Sequence, residues 1–217
     1  MRAQLEQQHG KGGMSLQIDR APQFQILESC YAILNERYKK PQTCFSALLQ
    51  WLAHKLRIQG THDYPTPTLT LDMEARLNRT LDLAVLKQEP WDWLGELAVK
   101  LNLFDCVPHR STLDEVMDYV QHNIPRSISR TTIVFDPSAG TGRLFFGIMR
   151  AGIECIMAGA EPSPKAYRIL VVNKHLYDMP AFVVRAELKE PFASPVWNEA
   201  NLYNPLFNFD RSTTHRL

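Results

Sequence analysis

The chain has 217 residues, 45% hydrophobic and 22% charged, enough for one large or two small globular domains with a real core. Its 24 basic and 23 acidic residues leave a formal net charge of +1, which excludes a globally basic nucleic-acid binder and confines any such surface to a local patch. Four widely spaced cysteines (Cys30, Cys44, Cys106, Cys155) without a Cys-x-x-Cys pair point to free thiols in a reducing compartment and to no metal site. With no apolar run of membrane-spanning length and no signal-peptide core, a cytoplasmic protein is expected.

Residues 1–20 are polar and rich in Gln and Gly, and are expected to form a disordered tail, with Met14 as an alternative start. Apolar residues at helical spacing predict helices over 24–38 and 44–58. Pro65 and Pro67 mark a loop over 60–70. Further helices are expected over 73–86 and 90–101, the latter with Pro90 near its first turn. Thr112-Leu113-Asp114-Glu115 has capping-box spacing and opens a fifth helix, which Pro125 ends. Residues 21–125 therefore read as an all-helical N-terminal domain.

The pattern changes in residues 126–217. Strands are expected over 131–135, 153–160 and 181–187, with helices over 142–151 and 163–176 between them. The second of these helices has Ser163 as its cap and Pro164 at its first position. A short segment, 200–203, follows. Alternating strands and helices imply α/β architecture with a parallel sheet covered on both faces.

The first strand runs into Asp136-Pro137-Ser138-Ala139-Gly140-Thr141-Gly142. Gly140 and Gly142 lack Cβ, so the backbone can take a positive φ and approach a ligand closely. The following helix N-terminus favours a negative group. Asp136 stands at the carboxyl end of its strand, where open α/β sheets bind ligands. An ordinary strand-to-helix turn uses the same residue types. Glu161 ends the second strand, 25 residues after Asp136, where nucleotide sites place an acid that accepts from ribose hydroxyls. It could also simply favour the next helix N-terminus. The third glycine of the dinucleotide fingerprint is missing, which points to a smaller nucleoside ligand carrying a charged amino-acid end.

These residues resemble the S-adenosylmethionine-dependent N6-adenine DNA methyltransferases, chiefly the modification subunits of type I restriction-modification systems and their phage and plasmid relatives. The resemblance spans roughly residues 90 to 210. The loop 136–142 matches that family's Asp-Pro-x-x-Gly-Thr-Gly, and Gly159-Ala160-Glu161-Pro162 matches its ribose-binding segment. Residues 93–103 resemble the helical segment before the family's Thr-Pro; Thr112 stands at that position, with Leu113 in place of the proline.

Asn204-Pro205-Leu206-Phe207 lies 68 residues after Asp136, at the place of the family's Asn-Pro-Pro-Phe or Asn-Pro-Pro-Tyr. An exocyclic amine is a poor nucleophile because its lone pair is delocalised. Acceptors from an Asn side chain and a Pro carbonyl can aim it at a methyl carbon, while an aromatic ring stacks on the extruded base. A plain Asn-Pro turn is the alternative. Leu206 replaces a stiffening proline.

The resemblance thus implies a Rossmann-like methyltransferase core with a truncated parallel sheet behind the helical domain. The cofactor would be S-adenosylmethionine, held by Thr112, Asp136, Pro137, Ser138, Ala139, Gly140, Gly142, Glu161, Pro162 and Glu187. Asn204, Pro205 and Phe207 would act on a flipped adenine in duplex DNA. Since the chain ends ten residues after Phe207, an incomplete sheet is expected, its open edge covered by a partner subunit or a second copy. The alternative is a degenerate, non-catalytic subunit that binds the cofactor or a partner. Trp51, Trp91, Trp93 and Trp197 are expected to pack rather than stack on bases. Arg76, Arg79, Lys87, Lys100 and Arg110 form either a phosphate surface or a solvated helix face.

Overall fold

The computed structural model describes residue 18 and residues 20–58, 67–104 and 111–186. Among the described residues, six helices come first. They are α1 (Pro22–Tyr38), α2 (Pro41–Lys55), α3 (Leu71–Thr80), α4 (Leu83–Gln88), α5 (Trp93–Lys100) and α6 (Leu113–Asn123). Both α1 and α2 start with Pro in the first turn, where a missing N–H removes no hydrogen bond. Each buries residues at helical spacing: Phe24, Leu27, Cys30 and Leu34 on α1, and Cys44, Leu48, Leu49 and Leu52 on α2.

Two helix boundaries differ from the sequence pattern. The stretch 73–86 is two helices, because the Asp82 carboxylate accepts from the amides of Ala84 and Val85 at 2.9 and 3.1 Å and caps a new one. The helix expected from Pro90 begins at Trp93. Asp92 caps it by accepting from the Gly95 amide at 2.9 Å. The expected capping box is present: Thr112 Oγ1 accepts from the Glu115 amide at 3.2 Å, and the Glu115 carboxylate accepts from the Thr112 amide at 2.6 Å.

The second half alternates β1 (Ile133–Asp136), α7 (Arg143–Arg150), β2 (Ile156–Ala160), α8 (Pro164–Leu176) and β3 (Ala181–Val184). The strands pair in parallel in the order β1-β2-β3. This is the α/β architecture that the alternation implied. Strand β2 starts later than expected because the Ile153 amide closes the end of α7, donating to the Ile148 carbonyl at 3.2 Å. Ser163 caps α8, accepting from the Ala166 amide at 3.4 Å. Asp136 lies opposite Gly159 in the register, so the carboxyl ends of β1 and β2 reach the same rim of the sheet.

The buried apolar side chains form one cluster from Phe24 to Ala181 that includes both halves. Helix α8 packs on α2 and α5, and α6 packs on α7. Phe146, fully buried on α7, meets Trp91 with ring centroids 6.0 Å apart and Tyr177 edge-on at 5.1 Å. Among the described residues, no helix is long and apolar enough to cross a membrane.

Candidate functional site

The amides of the loop between β1 and α7 are held by side-chain carboxylates as well as by backbone carbonyls. The Ser138 amide donates to Asp136 Oδ1 at 3.0 Å, and the Ala139 amide to the Ala160 carbonyl at 3.0 Å. The Gly140 amide donates to Glu161 Oε2 at 2.8 Å, and the Gly142 amide to the Ala139 carbonyl at 2.8 Å. Gly140 and Gly142 have φ of 56° and 97°, which L side chains rarely adopt. At Gly142 a Cβ would also lie 2.8 Å from Leu170 Cδ1. With these four amides engaged, the backbone donors at the end of the loop are those of Thr141 and of the first turn of α7.

A cavity of about 700 Å³ opens above this loop, a volume typical of small-molecule sites. Asp136, Pro137, Ser138, Ala139, Gly140 and Glu161 all line it, so one site collects six of the ten residues expected to hold the cofactor. Three others take structural positions beside it. Gly142 is the buried N-cap of α7, Pro162 is exposed after the acid, and Thr112 caps α6 while its neighbours Ser111 and Glu115 face the cavity. Glu187, Asn204, Pro205 and Phe207 lie outside the described residues.

The electrostatics of the cavity favour donors on the ligand. Glu161, 5% exposed, uses Oε2 on Gly140 and accepts from the Ser163 amide with Oε1 at 2.8 Å. Each oxygen keeps acceptor capacity beyond these bonds. Burial pushes the Asp136 carboxyl above its ordinary range; the Ser138 amide opposes this and the Glu161 carboxylate adds to it. Glu115 supplies a third acid at the rim.

The fold as a whole resembles a solved structure. The fold is methyltransferase-like. The chain matches the crystal structure of a Listeria monocytogenes protein provisionally assigned as a class I S-adenosylmethionine-dependent methyltransferase, with a TM-score of 0.54 and 14% identity over 77% of this chain. It covers 53% of that protein, about half its length. No protein-family profile matches the chain, and no curated protein matches it.

Sequence reasoning missed a buried polar group behind the glycine loop. Asp92 is fully buried and meets Arg143 Nε at 3.1 Å. The same guanidinium donates to Glu96 Oε1 at 2.5 Å and to the Ser111 carbonyl at 2.7 Å, and lies 5.4 Å from the Trp91 ring centroid. The available signal was an acid, Asp92, between two tryptophans and three residues before Gly95. Trp51, Trp91 and Trp93 are buried, as packing residues are. Of the basic residues considered for phosphate, Arg76, Lys87 and Lys100 pair with Glu36, Asp178 and Glu28 at 2.5, 2.7 and 2.7 Å.

Proposed function

We propose that this chain is the cofactor-holding core of an S-adenosylmethionine-dependent methyltransferase. The observation that carries this reading is the placement of Asp136 and Glu161 in one cavity with the glycine loop. Two carboxylates repel a phosphate-bearing nucleotide but complement a ligand with ribose hydroxyls and an ammonium group. Of the two cations that line the cavity, Arg143 is committed to Asp92 and Glu96, and the Lys165 ammonium donates to the Leu103 carbonyl at 3.2 Å. S-adenosylmethionine has the required donors, and its α-carboxylate suits the first turn of α7. Bound there, it would supply an electrophilic methyl group on a sulfonium. Glu161 would accept from the ribose hydroxyls and Asp136 from the ammonium; the loop would exclude water and fix the ligand's direction.

The substrate in this reading is the N6 amine of an adenine extruded from duplex DNA, and the setting is the cytoplasm. This part rests on Asn204, Pro205 and Phe207: two acceptors for the amine and a ring for the base. Glu187 belongs with the residues that hold the cofactor, near its adenine amino group. Leu206, in place of a stiffening proline, favours a second reading, a subunit that binds the cofactor without turnover. A partner subunit or second copy along the sheet edge fits either reading; on β3, Phe182 and Val184 are exposed.

Titration calorimetry with S-adenosylmethionine tests the cofactor, and absence of heat removes both readings. Transfer of a labelled methyl group to unmethylated DNA separates them. Label in adenine supports the enzyme; binding without transfer supports the silent subunit.

A further inference from the structure

We propose that Asp92, on the helical half of the chain, is a positioning residue for the glycine loop. The inference rests on the reading that the cavity above that loop binds S-adenosylmethionine. The Asp92 carboxylate has four acceptor positions, and four donors fill them. The Gly95 amide and Asn173 Nδ2 reach Oδ1, each at 2.9 Å. Arg143 Nε, at 3.1 Å, and the Thr141 hydroxyl reach Oδ2. The donors come from the start of α5, from the loop and the first turn of α7, and from near the C-terminal end of α8. Gly95 is adapted to this arrangement, since a Cβ there would lie 1.9 Å from Asp92 Oδ2.

Stability alone does not require such a group. A buried ion pair can often be replaced by apolar side chains at no loss. What the carboxylate adds is a hold on Thr141, which sits between Gly140 and Gly142, the two loop residues with positive φ. Glycine permits many backbone conformations, so a residue flanked by two of them needs external support to keep one orientation. Thr141 has that support on both sides. Its hydroxyl donates to Asp92, and its carbonyl accepts from Asn173 Nδ2 at 3.0 Å while the same amide group also donates to Asp92. Fixing this peptide fixes the direction of the first N–H groups of α7, and Thr141 itself lines the cavity.

The test compares wild type with Asp92→Asn, Thr141→Val and Thr141→Ser. Hydrogen exchange of the loop amides 138–142 is followed without ligand, alongside thermal melting and S-adenosylmethionine titration. Losing one charged hydrogen bond at the loop is expected to speed loop exchange and weaken affinity about tenfold or more in Asp92→Asn and Thr141→Val. Amides of α1 and α2 should be unchanged, and Thr141→Ser, which keeps the hydroxyl, should behave like wild type. Loop exchange in Thr141→Val equal to wild type would overturn the proposal. So would acceleration spread evenly over the protein in Asp92→Asn. If Asp92→Asn does not fold, the Val and Ser pair at position 141 decides. If wild type takes up no S-adenosylmethionine, the cofactor reading fails while ligand-free exchange still decides the role of Asp92.

Discussion

Glu161 and Gly140 are joined by a 2.8 Å hydrogen bond from the loop amide to a carboxylate oxygen. The other oxygen takes the Ser163 amide at the start of α8. One acid therefore closes the glycine loop against the next crossover before any ligand arrives. Its expected role toward ribose is added to a structural one.

Glu161→Gln separates these roles only partly, because the new amide turns one acceptor into a donor facing a backbone N–H. Loss of that bond is expected to lower stability by about 1–3 kcal/mol and S-adenosylmethionine affinity at least tenfold. Chemical denaturation and calorimetry check the two effects. Wild-type values for both would show that the acid is dispensable.

Asp136→Asn should move stability the other way. A carboxyl whose folded value is raised contributes stability that is complete below its unfolded value and is lost as pH rises through the folded one. At neutral pH the ionised group is therefore a cost that Asn removes. The variant is expected to melt higher than wild type at pH 7, and the gap should close as the pH falls below the carboxylate range. Cofactor affinity should drop in the variant, and in wild type as acid protonates Asp136. A variant that melts lower at pH 7 would contradict this balance.

Gly142→Ala places a side chain at a φ of 97° and 2.8 Å from Leu170 Cδ1. Backbone strain and crowding together should cost about 1–3 kcal/mol. Gly140→Ala shares the strain at a φ of 56° but meets nothing within 4 Å, so it should cost less. Melting of the two variants checks the ranking.

Phe146→Ala tests the shared core. The ring is fully buried between Trp91 and Tyr177, and its loss should cost about 3–5 kcal/mol. Because the cluster spans both halves, unfolding should remain one transition, shifted as a whole. Two separated transitions would mean that the helical half and the α/β half fold independently.

Asn204→Ala addresses the substrate reading. It should abolish methyl transfer to adenine while leaving S-adenosylmethionine affinity within about twofold, well under the 1.4 kcal/mol that a tenfold change represents. Transfer at the wild-type rate would remove Asn204 from the mechanism.

Much of this architecture was legible where the causes are local. The Thr112 capping box, the Ser163 cap and the loop glycines act within a few residues, and each lies where its pattern placed it. The break at Asp82 was less visible, because an acid within a helical pattern looks like a solvated position until its carboxylate turns onto Ala84 and Val85. Asp92 was invisible for another reason. Its partners Thr141, Arg143 and Asn173 lie 49, 51 and 81 residues away, and no periodicity connects them. The separation of Asp136 and Glu161 suggested a shared site, but only the parallel register of β1 and β2 brings their ends to one rim.

The Arg143 guanidinium carries a lesson for anyone who would excise or transplant the α/β half. A fragment cut near residue 125 would keep the glycine loop's letters but leave behind Asp92, Glu96 and the Ser111 carbonyl, all three acceptors of that arginine. The same cut removes the apolar cluster that the two halves share, so the excised half loses its core and the partners of its cation together. The smallest portable unit therefore begins upstream of α5, and grafts or chimeras should be joined there.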